Sequence, residues 1–307
     1  MDEIAFSRHI REMSRIAYVN GRYLPHARAG VSIDDRAFVF GDGVYEVCEV
    51  RDGVPIDAPR HLARLARSLA ALRIAPPLGA LALARVMGEV IARNRVRDGL
   101  VYLQVSRGSA RRDHAFPADP RPGLVVTAKS LNPSANEARA LGGVKVVTRP
   151  DERWAHPHIK SLQLLPNVLA KQSAREAGAY EAWFVDPRGF VTDGASTNAW
   201  IVTAQGQLVT RPTDPAILAG VTRATLIDVA ANLGFALEER AFTPDEAYAA
   251  REAFLSSATT IVLPVVEIDG RPIGEGRPGP VAQALRRRFH AIATRGFAPV
   301  DVAATGD

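Results

Sequence analysis

The stretch Ile159-Lys160-Ser161-Leu162-Gln163-Leu164-Leu165-Pro166-Asn167 constrains this chain more than any other. It sets one lysine between an extended segment rich in His and Pro and an apolar run that reads as the first turn of a helix. Proline is tolerated there because the N–H it lacks would have no intrahelical partner. A side chain at such a junction projects into whatever cleft the chain forms. The chain holds 38 Lys+Arg, yet lysine occurs only at Lys129, Lys145, Lys160 and Lys171, so amine chemistry has four candidates. Lys129 ends the strand-like run Leu124–Ala128, and Lys145 alternates with Val144 and Val146, which makes both solvent-facing strand residues. Lys171 sits within a helical pattern from Val168 to Gly178, four residues before Arg175, where a solvated face is the plain reading. Lys160 stands apart. A lysine of ordinary basicity is about one part in a thousand neutral at pH 7, and apolar neighbours such as Ile159, Leu162 and Leu164 are what favour a neutral, nucleophilic amine.

A chain of 307 residues exceeds what one hydrophobic core usually serves, so two domains are expected. Hydrophobic content of 47% with 23% charged residues describes an ordinary soluble globular protein. The net charge of +5 is spread along the chain, with no basic run beyond Arg286-Arg287-Arg288 and no basic patch interleaved with aromatics. That pattern argues against nucleic acid and fits an anionic small ligand. One cysteine, Cys48, excludes an internal disulfide and any Cys-x-x-Cys metal site, so no metal is expected and a reducing, cytoplasmic setting is. Met1–Arg15 is charged without an apolar core, and no apolar run approaches the ~18 residues of a membrane span, so neither a signal peptide nor a membrane helix is expected.

Along the chain, Tyr18–Leu24 reads as two short strands around an Asn20-Gly21 turn. In the strand that follows Gly43, Val44, Glu46, Cys48 and Val50 share one face while Tyr45, Val47 and Glu49 share the other, and Arg51-Asp52-Gly53 closes a hairpin. His61–Ile74 is helical, with Leu62, Leu65, Leu69 and Leu72 as its apolar stripe and Arg60, Arg64 and Arg67 off it. A second helix spans Ala80–Asn94. Strands at Val101–Val105 and Leu124–Thr127 flank an Arg-rich loop. Pro, Ser and Asn cluster at residues 130–136, which places a linker at 131–136 between an N-terminal domain, 1–130, and a C-terminal domain, 137–307, that carries Lys160. Beyond it come strands at Val144–Thr148, Ala182–Val185 and Ala199–Val202, a hairpin at Asp186–Gly189, a helix opened by Ile217–Arg223, and a frayed tail from Gly296. Strands and helices mix without a regular βαβ beat, which argues an α+β fold of two α/β domains.

Four places carry groups suited to ligands. Gly220-Val221-Thr222 at a helix start offers backbone N–H groups and a hydroxyl that suit a phosphate. Ser256–Thr260 supplies hydroxyls that a buried turn explains equally well. Thr192–Asn198 is a turn of short polar residues whose plain reading makes Asp193 a cap. Arg112 and His114, two apart, point to one side of an extended loop and can grip a carboxylate, although a solvated basic loop also accounts for them.

Seven blocks, VFGDGVYEVCEV (39–50), HLARL (61–65), VSRGSARRDHAFP (105–117), IKSLQLLPNVLAKQSAREAGAYEA (159–182), TDGASTNAWIV (192–202), ILAGVTR (217–223) and SSATTIVLPVVEIDG (256–270), occur in the order of the class IV, fold-type IV pyridoxal-phosphate aminotransferases. The resemblance covers about residues 18–275 and is strongest to the bacterial D-amino-acid aminotransferases. It implies two α/β domains with pyridoxal 5'-phosphate between them and a homodimer. It implies that Lys160 is the Schiff-base lysine and moves the proton in the 1,3-shift, that Arg64 meets the cofactor phosphate with Val221 and Thr222, and that Ser257 lies near the cofactor. Ala258 departs from a usual threonine, and Asp193 stands where most of the family has a glutamate facing the pyridine nitrogen, about one methylene longer. The Arg112-x-His114 element, with Tyr45, resembles the substrate-carboxylate trap of the D-amino-acid enzymes. The activity so implied is transamination between a D-amino acid and a 2-oxo acid, 2-oxoglutarate or pyruvate. Within the fold, the alternatives are a branched-chain L-amino-acid aminotransferase, an (R)-amine transaminase or a lyase. Outside it stand a non-catalytic cofactor or anion binder and a basic nucleic-acid binder.

Overall fold

A computed structural model of the chain describes residues 15–297. The readings made on the N-terminal segment before Arg15 and on the tail after Phe297 lie outside the described residues. Within them the chain separates into two compact units: residues 15–131, 160–163 and 295–297 form the first, and residues 132–159 and 164–294 the second.

The first unit opens with β1 (Ile16–Val19) and β2 (Arg22–Pro25), joined by Asn20 and Gly21 at φ 46° and 91°, the positive values that a tight two-residue hairpin requires. A short helix α1 (Arg36–Phe40) follows, its N-terminus capped by the Asp35 carboxylate. Then come β3 (Gly43–Arg51), β4 (Val54–Pro55), helices α2 (Ala58–Ala71) and α3 (Ala80–Arg93), and strands β5 (Gly99–Ser106) and β6 (Gly123–Ser130). The strands form one six-stranded antiparallel sheet in the order β2-β1-β6-β5-β3-β4. On β3 the alternation holds: Val44, Glu46, Cys48 and Val50 are buried and Tyr45, Val47 and Glu49 half-buried.

Helix α2 departs from its leucine stripe. Its buried face is His61, Arg64, Leu65, Ser68 and Leu69, while Leu62 and Leu72 are only partly covered. Arg64 was expected off the apolar stripe and lies on the buried face, because the facing strand presents Glu46 and so supplies a countercharge that hydropathy does not register.

The second unit begins at Asn132, whose side chain accepts from Ser134 N and caps α4 (Pro133–Gly142). Residues 133–136, expected within the linker, are therefore the first turn of a helix. Pro at N1 and Asn at the cap are helix-start chemistry as much as linker chemistry. Strand β7 (Val144–Pro150), α5 (Leu165–Glu176), β8 (Glu181–Val185), β9 (Val191–Gly194), β10 (Asn198–Val202), β11 (Leu208–Thr210), α6 (Val221–Asn232), β12 (Leu237–Glu239), α7 (Pro244–Tyr248), β13 (Glu252–Ser257), β14 (Ile261–Ile268), β15 (Arg271–Pro272) and α8 (Pro280–Ile292) follow. The sheet runs β12-β11-β10-β13-β14-β7-β8-β9 with β15 beside β14. Its pairs are antiparallel except β7 with β14 and β8, and β11 with β12. One core cluster gathers Trp183, Phe242, Leu255 and Leu263; another, with Ala170, Ala174 and Phe184, lies under α5. Mixed sheets with helices packed on them make this an α+β protein of two α/β units. No described helix is long and apolar enough to cross a membrane.

Candidate active site

Lys160 belongs with the first unit, together with Ser161, Leu162 and Gln163, although the segments on either side, 132–159 and 164–294, belong to the second. The reason is a short ladder: Tyr45 N donates to Lys160 O at 3.0 Å, Leu162 N to Gly43 O at 3.0 Å, and Ser161 bridges Val44. Gly43 permits this approach, since a Cβ there would meet Leu162 Cδ1 at 2.8 Å and Val105 O at 2.5 Å. From the other side, Lys160 N donates to Ser68 Oγ on α2 at 3.3 Å. The backbone of the lysine is thus held by a strand and a helix, while its Nζ lies 4.2 Å from the centre of the Tyr45 ring. A cation over an aromatic face is weakly attracted, and among the described residues no carboxylate forms an ion pair with Lys160.

The Tyr45 ring leans on Tyr102 at 5.8 Å between centroids. Burial, then the neighbouring Tyr45, pushes Tyr102 up to about 12, so its hydroxyl remains a donor, to Gln104 Oε1 at 2.6 Å. On the opposite face of β3, one residue on, Glu46 is fully buried. Its Oε1 accepts from Arg64 Nε at 2.7 Å, and its Oε2 from Arg64 Nη2 at 2.8 Å; Oε2 also lies 2.7 Å from His61 Nδ1. Burial alone would raise this carboxyl, but the Arg64 guanidinium and then His61 outweigh it and hold Glu46 well below the usual carboxylate range. His61 is itself drawn below its ordinary value by burial, against the pull of Glu46.

Arg112 and His114 lie exposed on the loop between β5 and β6 and meet at one ring: the Arg112 guanidinium carbon and the His114 ring each sit 5.3 Å from the Phe40 centroid. The loop is pinned from beneath. Buried Arg36 donates to the carbonyls of Asp113 (2.6 Å), Ala115 (3.3 Å) and His114 (3.4 Å), and its Nε to Asp42. Arg107 grips the same Asp42 through Nε and Nη2. Among the described residues, neither Arg112 nor His114 makes a hydrogen bond or ring contact with Tyr45.

In the second unit Asp193 lies on β9 and not in a turn, so it caps nothing. The polar run Thr192–Asn198 continues a strand before bending, because Thr192 and Asp193 are both satisfied by side chains that the strand geometry brings to them. Asp193 Oδ2 accepts from Arg153 Nη1 and Leu218 N, each at 2.9 Å, and Oδ1 from Asn198 Nδ2 at 2.8 Å. Burial pushes the Asp193 carboxyl up from its ordinary value, against Arg153, Leu218 and Asn198, which pull it down. Asn198 also reaches the start of α6: its Nδ2 donates to Leu218 O at 3.1 Å, and a Cβ on Gly220 would lie 1.9 Å from its Oδ1. One amide therefore ties the acid to the helix terminus at Val221 and Thr222. No side chain caps that terminus, and Thr197 Oγ1, beside Asn198, is buried without a partner among the described residues. Across the β10–β13 pair Asn198 faces Ser256, and the next residue, Ser257, joins a hydroxyl cluster with Thr259 (3.0 Å) and Thr260 (2.9 Å). An uncapped helix start, an orphaned hydroxyl and clustered Ser/Thr suit a phosphate, and a buried acid suits a pyridinium nitrogen.

Residues 43–268 match the family model for class IV amino-transferases. The chain belongs to the class IV aminotransferases. It is 40% identical to a D-alanine aminotransferase of Bacillus licheniformis over 87% of this chain and 93% of that one. It is 36% identical to a D-alanine aminotransferase of Listeria monocytogenes over 93% and 98%. Among solved structures, a branched-chain amino acid aminotransferase from T.th., with pyridoxamine 5'-phosphate, aligns with TM-score 0.84 at 25% identity, covering 92% of this chain and 98% of that one. Enzymes of this class use pyridoxal phosphate, whose phosphate suits a buried guanidinium or an uncapped helix start and whose ring nitrogen suits a buried acid.

Glu46, His61, Arg153 and Asn198 were not singled out in the sequence. The signal for Glu46 was present, a carboxylate alternating with Val44, Cys48 and Val50 on a core face. Asn198 was visible only as the end of the polar run from Thr192, and Arg153 carried no signal, since only the folded chain shows what it touches.

Proposed function

We propose that this aminotransferase moves an amino group between a D-amino acid and a 2-oxo acid, 2-oxoglutarate or pyruvate, in two half-reactions on one pyridoxal 5'-phosphate. The observation that carries the reading is Lys160, clamped through its backbone by β3 and α2 with its ammonium over the Tyr45 ring. The cofactor, when bound, supplies the electron sink. Lys160 would hold it covalently and would take and return the proton at the substrate Cα. Arg64, the N–H groups and hydroxyl of Val221 and Thr222, and the Ser257 hydroxyl would bind its phosphate. Asp193 would face the pyridine nitrogen, and a positive charge there would favour its carboxylate form against the burial that raises it. Tyr45, Arg112 and His114 bind the substrate carboxylate.

The names of the relatives at 36–40% identity support D-amino acids over the branched-chain alternative, whose solved representatives share 24–25% of their residues with this chain. The reading places the enzyme in the cytoplasm, which the unpaired buried Cys48 supports, as a homodimer, which the exposed Ile33 and Phe38 of the first unit support. Spectral titration of the holoenzyme decides the substrate class. D-Alanine should convert the lysine-bound cofactor to its amino form and L-leucine should not; the reverse preference would make this a branched-chain enzyme. Lys160→Ala should fold, bind the cofactor without covalent attachment, and show no turnover.

A further inference from the structure

We propose that Glu46 is a positioning residue for the cofactor's phosphate: it fixes the Arg64 guanidinium, with His61 as its second partner, so that the anion anchor stands at a set place relative to Lys160. The inference rests on the reading of Arg64 as the phosphate cation.

A core position on β3 flanked by Val44 and Cys48 would ordinarily be filled by an apolar residue, and replacing a buried ion pair with well-packed apolar side chains is often neutral or stabilising. Here both elements give up such a position. The strand yields Glu46 and the helix yields His61 and Arg64, on a buried face completed by Ala58, Leu65, Ser68 and Leu69. What the arrangement secures is orientation. Arg64 meets the carboxylate through Nε and Nη2 together, and because guanidinium is planar this fork turns the edge bearing Nη1 away from Glu46. His61 Nδ1 fixes the carboxylate from the side and, drawn towards neutrality by burial, adds no second cation. A guanidinium can therefore be kept charged and aimed inside the protein before any phosphate arrives.

The lysine is held by the same strand and helix through contacts of its own. Tyr45, next to Glu46, donates its N–H to Lys160 O, and Ser68, one helical turn after Arg64, accepts the Lys160 N–H. The Glu46–Arg64 fork joins strand and helix beside these contacts without taking part in them. Shifting it would displace the phosphate anchor relative to the amine.

The test compares pyridoxal 5'-phosphate with phosphate-free pyridoxal, because a residue acting through the phosphate changes only the first. Dissociation constants are measured by equilibrium dialysis on the parent, Glu46→Gln, Glu46→Asp and Arg64→Ala, with circular dichroism to confirm the fold. Glu46→Gln should weaken pyridoxal phosphate about tenfold or more, as for a charged hydrogen bond misaligned, and leave pyridoxal unchanged. Glu46→Asp keeps the charge but withdraws the carboxylate by one methylene, and it should show the same selective loss. It decides the matter if the Gln variant does not fold. If Arg64→Ala loses pyridoxal phosphate selectively while the folded Glu46 variants weaken both ligands equally, or neither, Glu46 is only part of the core and the proposal is wrong. If Arg64→Ala itself keeps the parent's preference for the phosphorylated ligand, the reading of Arg64 fails first.

Discussion

Each unit buries an arginine against a carboxylate, and the two carboxylates come out oppositely. In the first unit Glu46 receives both N–H groups of one guanidinium edge, together with His61, and is held well below the usual carboxylate range. In the second unit Arg153 is divided. Its Nε and Nη2 form the fork on Asp151, at 2.9 and 2.7 Å, and only Nη1 is left for Asp193. Asp151 is lowered, whereas burial prevails at Asp193 and raises it. Distance to an arginine does not separate these acids, since all lie within 2.9 Å. What separates them is how much of the cation each receives: Glu46 and Asp151 each take two N–H groups of a guanidinium, and Asp193 takes one. The acid with the single guanidinium contact is the one proposed to meet a cation on the cofactor.

The comparison breaks most sharply at Glu46→Ala, which removes the carboxylate that Arg64 meets through Nε and Nη2. Urea unfolding of the apoprotein should show a loss of about 3–5 kcal/mol, and an unchanged midpoint would mean that the remaining contacts of Arg64 suffice to hold it. Asp193→Asn keeps the shape and removes the charge. Single-turnover kinetics with D-alanine should slow by about a hundred- to a thousandfold, the range for losing one group that stabilises developing charge, while covalent attachment at Lys160 persists. A parental rate would show that another group serves the pyridine nitrogen.

Acid unfolding sharpens the contrast through its sign. Glu46 is depressed in the folded state, so its stabilisation is full above its ordinary value of 4.5 and is lost as pH falls through the folded value. Asp193 is raised, so its contribution improves as pH falls through its folded value towards 3.8. Melting temperatures followed downward from about pH 6 should therefore fall less steeply in Glu46→Gln than in the parent and more steeply in Asp193→Asn. Parallel curves would remove the distinction. The smallest effect is expected at the pair of exposed Lys145 and half-buried Glu267, where Lys145→Ala should cost less than about 1 kcal/mol by thermal melting. A larger cost there would mean that exposure protects less than the two buried clusters imply.

The alternation of Val44, Glu46, Cys48 and Val50, the Asn20-Gly21 hairpin, the helix at 80–94 and the junction at Lys160 were all legible in the sequence, because strand period, turn chemistry and helix starts are properties of a few neighbouring residues. The family blocks made Lys160, Arg64, Val221, Thr222 and Asp193 legible as candidates in the same local way. The orientation of α2 was not legible. Hydropathy turned its leucines inward, and the fold turned Arg64 inward, since the deciding group, Glu46, is 18 residues away on another element. Asp193 read as a turn cap because short polar residues favour turns, yet Arg153, 40 residues earlier, and Asn198 satisfy it on a strand. Local propensity and periodicity could therefore place the elements, while the partners of buried charges, and with them the pKa of each acid, were decided only when distant segments met and excluded water.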